Sequence, residues 1–95
     1  MTSELPNSAS GLALIEYPSR FPLKVFGSHD PELEPTVLAL IRARVPQAEH
    51  IEVRRRSSRS GKYLALTLTF TVHSQRQLEE IYQDLYDCER VVMSL

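Results

Sequence analysis

The residues with the most chemical potential are basic and crowded. In "EVRRRSSRSGKYLAL", Glu52 to Leu66, five of the eleven Lys and Arg residues fall within nine positions: Arg54, Arg55, Arg56, Arg59 and Lys62. Such a run could grip phosphate, touch nucleic acid or form the solvated tip of a hairpin. It lacks the G-x-x-x-x-G-K-S/T spacing of a phosphate loop, because "SSRSGK" holds one glycine and no helix signal follows it. Its backbone amides could still form an anion nest beside Arg59 and Lys62. As a nucleic-acid contact it offers charge, with no aromatic interleaving beyond Tyr63. The plainer reading is a hairpin between two strands, with Ser and Gly supplying turn geometry and the arginines solvated along an edge.

Other reactive types are scattered. His29, His50, His73 and Cys88 show no metal-ligand spacing. Ser57, Ser58 and Ser60 have no base at a recognisable offset and no nucleophile elbow around them. Cys88 follows an acidic helical stretch beside Asp87 and Glu89, where the helix dipole and both neighbours oppose a thiolate. A single cysteine also excludes an internal disulfide. No enzymatic constellation, cofactor site or metal site emerges.

The elements that must carry these residues are legible from periodicity. Phe21, Leu23 and Val25 alternate with Pro22, Lys24 and Phe26, which predicts a strand ended by Gly27. Asp30-Pro31-Glu32 reads as a helix start, and Leu33, Val37, Leu40 and Ile41 form one apolar stripe that Pro46 closes. Pro35 would shift the regular helix toward Glu34. Ile51 and Val53 open a short second strand running into the basic segment.

The strongest pattern follows. Leu64, Leu66, Leu68, Phe70 and Val72 alternate with Tyr63, Ala65, Thr67, Thr69 and Thr71, so one face of this strand is buried and the other more open. Ser74 with Gln77 suggests a capping box, after which Leu78, Ile81, Tyr82 and Leu85 make a second amphipathic helix. Val91, Met93 and Leu95 predict a last strand. The order β-α-β-β-α-β gives an α+β, ferredoxin-like sandwich: a four-stranded antiparallel sheet with both helices on one face. Right-handed crossovers put the first and third strands at the centre.

Ninety-five residues allow one domain, here residues 14–95 behind a flexible N-terminal tail, residues 1–13. Leu14, Ile15 and Tyr17 would cover an edge of the core. A hydrophobic content of 42% with 24% charged residues is that of a folded protein. The net charge of -1 argues against a dedicated nucleic-acid binder. The charge is nevertheless polarised, with an acid-free interval between Glu52 and Glu79 and acids clustered from Glu79 to Glu89. No apolar run reaches the length of a membrane span, and the expectation is a cytoplasmic protein.

Several segments taken in order resemble the YbeD-like family of small bacterial proteins: "EYPSRFPLKVFG", "PELEPTVLALI", the "SSRSGKY" loop, "QLEEIYQDLY" and the terminal "VVMSL". The resemblance spans Leu14 to Leu95. It implies a ferredoxin-like fold similar to ACT domains and a gene-neighbourhood association with lipoate metabolism. It implies no catalytic residue. Relative to the family pattern, the interval Ser57 to Tyr63 is one residue longer.

Two features are therefore candidates for interaction. One is the basic hairpin of Arg54, Arg55, Arg56, Arg59 and Lys62. The other is the open sheet face of Tyr63, Ala65, Thr67, Thr69 and Thr71 with Phe26 and Val92, expected to be neither charged nor strongly apolar. The leading expectation is a non-enzymatic regulatory or interaction module that binds a protein partner or small ligand. Self-association as a weak homodimer through the open face is part of it. The alternative is a weak RNA or anion binder acting through residues 54–62.

Overall fold

The structure is a computed structural model describing residues 15–46 and 49–95; the expected tail of residues 1–13 and Leu14 lie outside the described residues. The elements follow the expected order: β1 (Ser19–Ser28), α1 (Leu33–Arg42), β2 (Glu52–Ser57), β3 (Tyr63–Val72), α2 (Gln75–Tyr86) and β4 (Val91–Ser94). The sheet is antiparallel in the order β2-β3-β1-β4. The long alternating strand β3 is central and pairs with β1 along its whole length, from Ser19 opposite Val72 to Ser28 opposite Tyr63.

Its apolar row is the floor of the core. Leu64, Leu66, Leu68, Phe70 and Val72 are buried together with Leu23 and Val25 of β1. Leu33, Val37 and Ile41 of α1 and Leu78, Ile81 and Leu85 of α2 close the same cluster, so both helices cover one face. Leu40 and Tyr82, at the margins of their stripes, are half-buried against it, as are Ile15 and Tyr17. Among the described residues, the opposite face of the sheet carries no helix.

Local details differ from the sequence reading for identifiable reasons. β1 does not stop at Gly27; the glycine is inside the strand, at a bulge in its pairing with β4. A Cβ there would run into the Arg90 carbonyl and lie 2.7 Å from Leu33 Cδ1, so glycine permits a close approach of backbone to backbone. α1 begins at Leu33 rather than Pro31, because Asp30 builds a turn first. Asp30 Oδ1 accepts the Glu32 amide at 2.6 Å and its carbonyl accepts the Leu33 amide at 3.1 Å. Pro35 sits in the first turn, where its missing donor has no helical acceptor to lose.

Ser74 caps α2 by accepting the Gln77 amide at 3.0 Å. Gln77 Oε1 reaches back to the His73 amide at 2.8 Å, one residue earlier than a standard capping box would place it. Its Nε2 donates to the Arg44 carbonyl at 2.7 Å and ties α2 to the turn that follows α1.

Candidate interaction face

Strand parity divides the basic run. β2 extends to Ser57, so Arg54, Arg55 and Arg56 belong to an edge strand, and the hairpin tip is confined to the residues after it. Opposite β3, Arg54 pairs with Thr67, Arg55 with Leu66 and Arg56 with Ala65. Directly paired residues share a face. Arg54 and Arg56 therefore stand on the open face, and Arg55 alone is on the helical side.

Arg55 is consequently not a solvated tip residue. Its guanidinium donates to both carboxylate oxygens of Glu34 in the first turn of α1, with Nη2 2.6 Å from Oε2 and Nε bonded to Oε1. The hydrogen bond and the charge of Glu34 raise its pKa further above the ordinary arginine range. The tip is tied by its own hydrogen bonds. Gly61 adopts a φ of 79°, and its amide donates to the Ser58 carbonyl at 3.0 Å. The Ser58 amide binds the Tyr63 carbonyl, Ser58 Oγ accepts the Tyr63 amide and Ser60 Oγ the Lys62 amide. The His29 amide holds the Lys62 carbonyl at 2.9 Å. With these amides committed internally, the anion nest expected beside Arg59 and Lys62 loses most of its donors. Arg59 and Lys62 themselves are exposed.

The open face gains charge from both sides of β3. Lys24 and Phe26 of β1 lie opposite Thr67 and Ala65, while Met93 lies opposite Phe26 and Leu95 exchanges backbone bonds with Lys24. Two rows result, Arg54–Thr67–Lys24–Leu95 and Arg56–Ala65–Phe26–Met93. The face is thus cationic over β2 and β1 and apolar toward β4, which corrects the expectation of an uncharged surface. The bulge also corrects Val92: it puts Met93 opposite Phe26, and Val92 is the unpaired extra residue.

Lys24, Phe26, Arg54, Arg56, Ala65 and Thr67 line a shallow trough of about 420 Å³. A smaller notch of about 170 Å³ adjoins it between Phe26, Arg56, Tyr63 and Ala65. Tyr63, Met93 and Leu95 are 50%, 49% and 58% exposed, respectively.

Several arginines elsewhere meet carboxylates, while Arg42, Arg59 and Lys62 form no ion pair among the described residues. Arg44 bonds Asp84 at 2.8 Å and Glu80 at 3.4 Å, Arg90 bonds Asp30 at 2.9 Å, and Arg20 bonds Glu49 at 3.3 Å. Among the described residues, no carboxylate pairs with the side chains of Lys24, Arg54 or Arg56.

Thr69 and Thr71, counted with the open face from sequence, lie outside the trough. Arg20 covers their end, donating to the Thr69 carbonyl at 3.2 Å and approaching Thr71 Oγ1 at 3.5 Å. Glu49, which no sequence pattern marked, anchors this end by accepting the Thr71 amide at 3.2 Å. Burial opposes its ionisation, but the Thr71 hydrogen bonds, with Arg20 and His73 nearby, outweigh that and lower its pKa. Lys24 was also missed as a site residue, although its position between Pro22 and Phe26 in the alternating strand places it on this face.

Among the described residues, no group of three or more His, Cys, Asp or Glu is arranged to hold a metal ion. No helix there is long and apolar enough to cross a membrane.

Comparison with known proteins extends this picture. The family model described as "Protein of unknown function (DUF493)" matches residues 13–95. The UPF0250 protein NE1487 of Nitrosomonas europaea is 39% identical over 83 residues, covering 87% of this chain and 95% of that protein. A UPF0250 protein of Neisseria gonorrhoeae is 39% identical over 93 residues, covering 98% of this chain and 99% of its own. The solution structure of protein HP0495 from H. pylori superposes with a TM-score of 0.73 at 18% identity, covering 100% of this chain and 94% of that one, a likeness of fold.

Proposed function

This chain belongs to the DUF493 family, and we propose that it is a non-enzymatic interaction module whose open sheet face receives an acidic segment of a partner protein. The observation that carries this reading is the trio Lys24, Arg54 and Arg56, unpaired among the described residues around one trough, in a fold that neutralises Arg20, Arg44, Arg55 and Arg90. Clustered like charges repel one another, and an incoming carboxylate relieves that repulsion while its own water is replaced by guanidinium and ammonium donors. The fold alone does not select this function, since ferredoxin-like sheets serve many. The site does.

A second copy is a poorer occupant of this face. Two open faces related by a two-fold axis through the trough would set Lys24, Arg54 and Arg56 against the same cations of the second copy. The association with lipoate metabolism implied by the YbeD-like resemblance is a starting point for identifying the partner.

The test is a titration of labelled hexaglutamate followed by fluorescence anisotropy at low and high salt. Binding should weaken as salt rises and disappear in Lys24→Ser/Arg54→Ser/Arg56→Ser, with the circular dichroism spectrum unchanged. Binding by the parent that survives the triple substitution would remove the face from consideration. A single-stranded RNA oligonucleotide that binds more tightly than hexaglutamate, with a steeper salt dependence, would favour the nucleic-acid reading instead.

A further inference from the structure

Resting on the reading of the open face as a docking site, we infer that the partner segment lies extended along β3, with a carboxylate over Thr67 and a bulky apolar side chain two residues away over Ala65. The two positions differ in the chemistry that surrounds them. Thr67 stands between Arg54 on β2 and Lys24 on β1, its cross-strand neighbours on either side. Both cations can lean over it, and its own hydroxyl adds a donor, which makes this point the seat for an acid.

Ala65 stands between Arg56 and Phe26, with Tyr63 next along the same face of β3. Its methyl group is smaller than every side chain around it, and the resulting notch of about 170 Å³ is walled by Phe26 and Tyr63. Aromatic walls around a small floor suit an apolar side chain, with the ring faces and the aliphatic stem of Arg56 as contacts.

Spacing and width select the form of the segment. Thr67 and Ala65 are two residues apart on one strand, roughly 6.4–6.8 Å, which is the interval between same-side residues of an extended chain. Above β3, the occupant must fit between side chains rising from β2 and β1, about 9.6 Å apart as two strand spacings. A helix with its side chains is about 10–12 Å across and does not fit between them. The apolar surface continues past Phe26 to Met93 and Leu95, so additional apolar residues of the partner would contribute on the β4 side.

The experiment uses the full chain and three labelled probes: hexaglutamate and two short peptides of identical composition, one containing Glu-Thr-Phe and the other Glu-Phe-Thr. The Glu-Thr-Phe peptide should bind about tenfold more tightly than its isomer, the scale expected for burying part of one large apolar side chain. Ala65→Leu fills the notch without changing charge. It should erase the difference between the isomers.

Equal affinities of the two isomers for the parent, with hexaglutamate still bound through Lys24, Arg54 and Arg56, would overturn the inferred spacing and leave the acidic-partner reading standing. Absence of hexaglutamate binding would overturn both. If Ala65→Leu does not fold by circular dichroism, the comparison of the isomers on the parent decides the matter alone.

Discussion

Arg55 on β2 and Glu34 in the first turn of α1 form a two-pronged ion pair that fastens the edge strand to the helical layer. Its neighbours Arg54 and Arg56 make no such bond, so three consecutive arginines sit in two different environments. Arg55→Ser should lower the thermal unfolding midpoint measurably, and Arg54→Ser or Arg56→Ser should not. Combining Arg55→Ser with Glu34→Gln should cost less than the sum of the single changes, because both remove the same interaction. Thermal melts of the parent and these five variants, Glu34→Gln alone included, test this; strict additivity would show that the pair contributes nothing.

Leu68 is fully buried at the middle of β3, and Thr67 beside it faces the open side. Leu68→Ala should destabilise by about 2–5 kcal/mol in urea unfolding, since it leaves a cavity under both helices. Thr67→Ala should stay within about 0.5 kcal/mol of the parent, the usual range for an open-face change. Similar losses at the two positions would contradict the assigned faces.

Gly27→Ala tests the approach of β1 to the Arg90 carbonyl. The added methyl group must displace both that backbone and the Leu33 side chain, and overpacking of this kind costs on the order of 1–3 kcal/mol. Urea unfolding measures the loss, and an unchanged midpoint would mean that the Arg90 turn yields freely.

Acid should weaken the fold through Glu49 and Asp84. The folded-state pKa of Asp84 is lowered by its hydrogen bond from Arg44, against an opposing effect of burial. Glu49 is lowered by the contacts described above. For both groups the unfolded chain binds the proton more readily. Their contribution is therefore present above the ordinary values of 4.5 and 3.8 and is lost as pH falls through the lower folded-state values. Chemical denaturation of the parent, Glu49→Gln and Asp84→Asn at pH 7 and pH 3 should show a smaller acid-induced loss in each variant. An equal loss in all three would assign acid sensitivity to other groups.

What the sequence determined by itself is the set of elements and the face each one buries. A side chain's direction in a strand or helix is dictated by its own backbone, so alternation from Tyr63 to Val72 and the stripes of Leu33–Val37–Ile41 and Leu78–Ile81–Leu85 could be read locally. Even the division of the arginines was implicit, since Val53 faces the core and Arg55 follows it by two. The tertiary structure decided which strands lie side by side and in what register. Register brings Lys24 and Arg54 to either side of Thr67 with Arg56 beside Ala65 and sets the bulge that exchanges Val92 for Met93, while packing of the helix and of the segment before β2 carries Glu34 to Arg55 and Glu49 to Thr71. Those partners are distant in the chain, and no local periodicity encodes which distant residue a side chain will meet.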